Sequence, residues 1–265
     1  MIPKKIHYCW FGGNPLPELA QKCIASWKKY CPDYEIIEWN ESNFDITCCD
    51  YVKEAYEAKK WAFVSDYARF KILYENGGLY FDTDVEIIKP LDDILSKGGF
   101  MGIESKNINV NPGLGLAVAP GLGLYKDLLE RYHNRHFKNK DGSLNLTTVV
   151  EYTTEALTEY GLKASDKIQF VGGIYIYPKE YFCPKDMFSG ELIITDNTYS
   201  IHHFDGSWLS DKDKYSMKKR FVFSKFMSAK LAGLMAEFVA VSRFYGIKNA
   251  LKETINWFKE KNCGK

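Results

Sequence analysis

The run Asn76-Gly77-Gly78-Leu79-Tyr80-Phe81-Asp82-Thr83-Asp84-Val85 (NGGLYFDTDV) joins a glycine pair that ends a helix, an apolar triplet that enters a sheet, and two acids one residue apart. In extended backbone Asp82 and Asp84 point to the same side and repel each other. The pair is costly unless a cation or a dense set of donors lies between them. Hard divalent cations choose such oxygen ligands. A cation held by only one or two protein carboxylates completes its shell with water and phosphate oxygens, which points to a diphosphate. A lone D-x-D is more often a pair of turn or capping aspartates, so its surroundings decide the reading.

Upstream, residues 61–75 read as a helix closed by Asn76-Gly77-Gly78. On it Ala62, Ser65, Asp66 and Arg69 share one arc, while Phe63, Tyr67, Phe70 and Tyr74 form an aromatic stripe on another. The stripe is core. The polar arc is either a plain i,i+3 ion pair or, at the ligand end of a sheet, a donor and an acceptor for sugar hydroxyls. Further strands are expected at 5–10, 34–39, 85–88, 100–103, 114–119, 168–171, 174–177 and 199–203, and helices at 15–30, 50–59, 122–137 and 147–160. This alternation predicts an α/β sandwich on a largely parallel sheet. Ligands of such sheets gather at the carboxyl ends of the strands, where Asp82 and Asp84 fall. Late in the chain Ser200-Ile201-His202-His203-Phe204-Asp205-Gly206-Ser207-Trp208 brings a strand to two histidines whose faces alternate, so that one turns inward to a metal and the other away. Ser207 and Trp208 read equally as a turn and a core indole.

At 265 residues and 46% hydrophobic, the chain can bury one substantial core with a small appendage. The expected division is a catalytic domain at 1–210 and a helical extension at 211–265. A net charge of +1 gives no electrostatic reason to expect nucleic acid. The charge is uneven, however: beyond Ser210 stand 13 Lys/Arg against 5 Asp/Glu. In that region Met227, Leu231, Leu234, Phe238, Val241 and Tyr245, then Leu251, Ile255 and Phe258 after Gly246, recur at helical spacing and predict two amphipathic helices over 221–261. The basic, aromatic stretch 212–230 reads equally as an anionic-lipid contact and as a solvated helix face. Seven cysteines without a C-x-x-C pair indicate neither a zinc site nor a disulfide framework, and fit a reducing cytosol. The basic N-terminus lacks the apolar run of a signal peptide. No window reaches the ~18 apolar residues of a membrane span.

Four blocks in order, Ile2-Pro3-Lys4-Lys5-Ile6-His7-Tyr8-Cys9-Trp10, residues 62–69, residues 77–84 and residues 202–208, resemble glycosyltransferase family 32, the DXD-containing group of mannosyltransferase-like and capsular polysaccharide enzymes. The clostridial glucosylating toxins look like distant relatives. The resemblance implies the glycosyltransferase A-type fold, a Rossmann-like mixed sheet flanked by helices, here with a C-terminal helical extension. It implies a nucleoside-diphosphate sugar donor, a glycan or lipid-linked saccharide acceptor, manganese or magnesium as cofactor, and retention of anomeric configuration. By residue, Trp10 matches the position that stacks on the nucleotide base, and Ser65, Asp66 and Arg69 match the donor-sugar site. Asp84 matches the more direct metal ligand, with Asp82 reaching ribose, sugar or metal. His203 matches the late metal ligand, with His202 as its alternate, and Ser207 and Trp208 match residues that close over the diphosphate. Catalytic roles are expected of Asp66, Arg69, Asp82 and Asp84. No side chain in 109–113 receives a role. UDP-galactose is the first donor expected, on the family alone, ahead of UDP-glucose, UDP-GlcNAc and GDP-mannose. The short chain, without the membrane anchor of eukaryotic members, fits a bacterial cytoplasmic enzyme, peripheral at most to the plasma membrane.

Two readings from other classes remain open at this point. A haloacid dehalogenase-like phosphatase would use Asp82 as nucleophile and Asp84 as its acid, but leaves Trp10, the Asp66/Arg69 arc and the histidine block unused. A silent glycan-binding domain would use the many aromatics as its adhesive surface.

Overall fold

The computed structural model describes residues 1–105, 108–206 and 209–262. The chain divides into two units, residues 1–184 with 193–203, and residues 185–192 with 204–265. The first holds strands β1 (Lys5–Cys9), β2 (Glu35–Trp39), β3 (Gly78–Tyr80), β4 (Val85–Ile87), β5 (Phe100–Ile103), β6 (Val110–Asn111), β7 (Leu116–Val118), β8 (Gln169–Val171), β9 (Ile174–Tyr177) and β10 (Ser200–His202). Its helices are α1 (Glu18–Tyr30), α2 (Asp50–Glu57), α3 (Trp61–Asn76), α4 (Asp92–Leu95), α5 (Gly123–His133), α6 (Val149–Glu159) and α7 (Lys179–Phe182).

The main sheet runs β2-β1-β3-β7-β5-β9-β8, with β6 beside β5, while β4 and β10 form a separate antiparallel pair. The sheet is mixed, not largely parallel as the alternation predicted. β1 is parallel to β2 and β3, and β5 to β9, but β7 is antiparallel to both β3 and β5. Parallel neighbours need a long crossover, and the short links from β5 through β6 to β7 and from β8 to β9 leave no room for one. Gly172-Gly173, both at positive φ, makes β8 and β9 a tight hairpin.

The glycine pair that ends α3 is dictated by its neighbours. Gly77 stands at φ 64°, where a Cβ would lie 2.6 Å from the Pro120 ring; Gly78, at φ 96°, would place one 2.7 Å from the Lys5 carbonyl oxygen. That close approach lets β3 lie against β1 in the register Ile6 to Leu79 and His7 to Tyr80. His7, fully buried, accepts at Nδ1 from the Trp39 indole (3.0 Å) and donates from Nε2 to the Gly77 carbonyl (3.1 Å), which ties β2, β1 and the α3–β3 turn together. Burial pushes its pKa down to about 4. Phe63, Tyr67 and Phe70 are buried as the aromatic stripe requires.

Among its described residues the second unit carries α8 (Asp211–Ser224), α9 (Ala229–Tyr245) and α10 (Ile247–Asn262); the last two, broken by Gly246 at φ 89°, are the pair expected over 221–261, and α8 precedes them. The buried face of α9 is Ala232, Ala236, Ala240 and Val241, whereas Leu231 is 49% exposed and Tyr245 is exposed too. Of the expected stripe, Val241 is buried and Leu234 and Phe238 are half-buried, while Leu231 and Tyr245 are exposed; alanines at four-residue spacing fill the rest of the seam. Among the described residues no helix is long and apolar enough to cross a membrane.

Candidate active site

After β3 the backbone turns sharply. The Phe81 amide donates to the His7 carbonyl (3.2 Å), the Asp82 amide to the Gly113 carbonyl (3.2 Å) and the Val85 amide to the Asp82 carbonyl (3.1 Å). From α1, the Trp27 indole donates to the Val85 carbonyl at 2.7 Å and lies 5.6 Å from the Phe81 ring. The Ser26 hydroxyl accepts from the Ile87 amide. β4, held this way, pairs Val85 with His202, and the His203 amide donates to the Asp84 carbonyl at 2.9 Å. Segments nearly 120 residues apart in sequence thus meet at Asp84.

One ligand atom from each of Asp82, Asp84 and His202 lies within 4.8 Å of the others, with His202 Nε2 3.2 Å from Asp84 Oδ1. Of the two histidines, the alternate faces the acids. The pleat turns His203 away, so that its Nε2 meets Glu86 at 2.8 Å, where Lys22 Nζ also arrives at 2.9 Å. Lys22 and His203 hold the Glu86 carboxyl below its usual range against the opposing effect of partial burial. At His202, burial disfavours the charge, but the Asp84 carboxylate outweighs it and raises the pKa well above the ordinary value. Burial raises the Asp82 carboxyl, Arg69 works against that, and Asp84 adds to it. Two carboxylates and an imidazole suit manganese or magnesium. The Asp82 side chain is 31% exposed, so the cluster has an open side for phosphate oxygens and water.

Arg69, whose side chain is 3% exposed, binds both acids. Nη2 lies 2.9 Å from Asp66 Oδ1 and 3.2 Å from Asp82 Oδ1, Nη1 3.4 Å from Asp82 Oδ2, and Nε donates to the Ser65 carbonyl. Its guanidinium stands 5.0 Å above the Tyr80 ring, and the Tyr80 hydroxyl donates to Asp82 Oδ1 at 3.0 Å. The i,i+3 pair expected of Asp66 and Arg69 therefore forms, and it also reaches the acidic motif. Burial pushes the Asp66 carboxyl up to about 7, with Arg69 opposing and Asp82 reinforcing. Ser65 is half-buried and donates back to the Trp61 carbonyl. Trp10 follows the end of β1, which lies beside β3, at the same edge of the sheet as Asp82. It is half-buried, and its indole N–H donates to the Asn14 carbonyl at 2.6 Å. Ser207 and Trp208 lie outside the described residues.

The segment left without a role contributes most directly. A Cβ on Gly113 would stand 2.1 Å from Asp82 Oδ2, so this glycine is the wall behind the carboxylate. Asn111 holds that wall: its Oδ1 accepts from the Gly113 amide (2.6 Å) and its Nδ2 donates to Glu104 (2.8 Å). The Asn-Pro-Gly run signals a capped turn, but nothing in its sequence says which acid it backs. Tyr80 was likewise readable only as an apolar strand residue.

The family described as "Glycosyltransferase sugar-binding region containing DXD motif" matches residues 17–101. The chain is 28% identical over 149 residues to inositol phosphoceramide mannosyltransferase 1 of Schizosaccharomyces pombe, covering 51% of this chain and 45% of that protein, so it spans less than half of that relative's length. It is 23% identical over 198 residues to uncharacterized glycosyltransferase L373 of Acanthamoeba polyphaga mimivirus, covering 70% of this chain and 77% of that one. Among solved structures, the PaToxG glycosyltransferase superposes with a TM-score of 0.48 at 19% identity over 60% of this chain and 69% of its own. Residues 17–101, which contain α1, the Asp66–Arg69 pair and both acids of the strand end, are similar to the sugar-binding region of the DXD glycosyltransferases, and two of the four sequence blocks, 62–69 and 77–84, fall within that match.

Proposed function

We propose that the protein is a metal-dependent, retaining glycosyltransferase that moves a hexose from a nucleoside-diphosphate sugar to a hydroxyl of a bacterial surface glycan or glycolipid precursor, working in the cytoplasm. The observation that carries this reading is the convergence of Asp82, Asp84 and His202 next to the Arg69–Asp66 pair at the carboxyl edge of the sheet. Asp84, Asp82 and His202 would hold manganese or magnesium, which when bound supplies Lewis-acid stabilisation of the charge that builds on the departing diphosphate. Arg69 keeps Asp82 ionised and aimed, and places a fixed positive charge beside the leaving group. Asp66, bound through one oxygen to Arg69, serves as a ligand for the sugar hydroxyls rather than as a nucleophile, and Trp10 stacks on the base. The acceptor oxygen bonds to the anomeric carbon on the face from which the phosphate oxygen leaves, and that oxygen takes the acceptor's proton.

UDP-galactose and GDP-mannose are the first donors to test, the latter because the Schizosaccharomyces pombe relative is named a mannosyltransferase. The stretch 212–230 would meet anionic lipid: Phe226 is 81% exposed beside Lys225, with Val222, Lys218 and Lys230 exposed as well, the mixture of an interfacial anchor. In the phosphatase reading Asp82 would attack phosphorus, yet both its oxygens are engaged by Arg69 and Tyr80. The test is release of nucleoside diphosphate from UDP-, GDP- and dTDP-sugars, with manganese and with chelator, for the wild type and Asp84→Asn. Metal-dependent turnover of one donor, lost in the variant, is expected. Absence of both turnover and metal-dependent nucleotide binding would refute the proposal.

A further inference from the structure

Within the second unit, α8, α9 and α10 line a cavity of about 340 Å³, the size class of small-molecule sites, which the proposed transfer chemistry does not use. Leu234, Phe238 and Val241 of α9 give it an apolar wall, and the missing side chain of Gly233 leaves room beside Arg220 of α8, whose Cζ would stand 3.5 Å from a Cβ there. Two cations share the lining. The Arg220 guanidinium lies 3.9 Å from the centre of the Phe188 ring, so a neutral partner holds its fork in place. Its Nε is buried and meets no acceptor, and no carboxylate among the described residues pairs with it. Lys230, the second cation, stands in the first turn of α9, where the helix N–H groups also favour negative charge. A buried guanidinium nitrogen without an acceptor is costly, and an incoming anion removes that cost. The acids of the lining do not serve in its place: Glu237 is taken by Lys212 and by the Ser216 hydroxyl (2.8 Å), and Glu253 is exposed on α10. With Lys212 set against Glu237, Arg220 and Lys230 face only Glu253, a net of one positive charge.

We propose that the α8–α10 cavity binds the phosphate head of an anionic lipid, with Arg220 and Lys230 on the phosphate oxygens and the first carbons of the chain against Leu234 and Phe238. The guanidinium fork matches two phosphate oxygens, and the ammonium adds a point charge. The apolar wall distinguishes a lipid from free phosphate, because only a chain removes Leu234 and Phe238 from water. Lys225 and the exposed Phe226 do not line the cavity. They give a hold on any anionic surface, whereas the cavity selects a head group. The inference deepens the lipid contact proposed for 212–230 and rests on that reading for the source of the ligand.

The experiment is calorimetric titration of the full chain with dihexanoylphosphatidic acid, kept below the concentration at which it forms micelles. Saturable binding at one site is expected, and its absence would overturn the proposal. Inorganic phosphate and dihexanoylphosphatidylcholine should each bind at least about tenfold more weakly, the first for want of a chain and the second for want of net negative charge. Equal affinity for inorganic phosphate would make this a site for the free ion, and equal affinity for the choline lipid would remove Arg220 and Lys230 from it; both arms use the unaltered chain and need no variant to fold. Arg220→Gln should weaken the phosphatidic acid at least about tenfold, while Lys225→Gln, the loss of an equal charge outside the cavity, should stay within about twofold. The reverse order would place the lipid on the outer surface and overturn the assignment. Neither donor turnover nor vesicle binding is read, so failure here and failure of the proposed function show separately.

Discussion

Replacing Gly113 by alanine tests the candidate site at its least obvious point. The new methyl would start 2.1 Å from Asp82 Oδ2, 2.9 Å from Asn111 Oδ1 and 3.1 Å from Asp82 Cγ. To reach ordinary contact, the carboxylate must retreat by about 1 Å. Its side chain is partly exposed and can rotate, so the backbone can stay in place. The loss of stability should be about 1 kcal/mol, the cost of an off-rotamer aspartate with a weakened Arg69 contact. The chemistry is far less tolerant: a 1 Å displacement of a positioned group costs about 100-fold in rate, equal to about 2.7 kcal/mol in the barrier. The assay compares kcat for diphosphate release and the thermal midpoint of Gly113→Ala with those of Gly123→Ala, whose methyl would enter open space at the start of α5. Gly123→Ala should match the wild type in rate. A Gly113→Ala enzyme with near-normal kcat would show that the position of Asp82 does not govern the reaction. A collapse in stability would show that the turn, not the carboxylate, absorbs the clash.

Three further outcomes are expected. His202→Gln should weaken manganese binding at least 10- to 100-fold, whereas His203→Gln should leave it within about twofold; calorimetric titration giving the reverse order would return the metal to His203. Arg69→Met leaves Asp66 and Asp82 without their shared cation and should lower unfolding stability by about 3 kcal/mol; Arg69→Lys should recover little, because one ammonium cannot bridge both acids as the guanidinium fork does. His7 binds its proton more weakly folded than unfolded, so stability is lost as pH falls from about 6.5 toward 4 and should drop by about 3 kcal/mol across that window. In His7→Gln that part of the urea-midpoint slope should vanish; an unchanged slope would show that His7 is not the titrating group.

Local chemistry wrote several features directly into the sequence. The glycine pair at 77–78, the helix before it and the short strand after it are legible because they depend on residues a few positions apart: a helix needs a positive-φ stop, and a strand must enter the sheet beside another backbone. The shared arc of Asp66 and Arg69 follows from helical spacing alone, and the crowding of Asp82 and Asp84 from the two-residue pleat. Tertiary structure decided the rest, in each case because the partner comes from a distant segment. The sheet is mixed because the short β5–β6–β7 and β8–β9 links return the chain antiparallel, and periodicity carries no strand direction. His202 rather than His203 faces the acids because the register of β10 on β4 sets which side of the pleat is inward, and a one-residue shift would exchange them. The C-terminal helices bury Ala232, Ala236 and Ala240 while the bulkier Leu231 and Tyr245 stay exposed, since small side chains at four-residue spacing leave room for a neighbouring helix. Gly113 lies 31 residues beyond Asp82, and only the folding of β7 against β3 makes the absence of its side chain the place where a carboxylate rests.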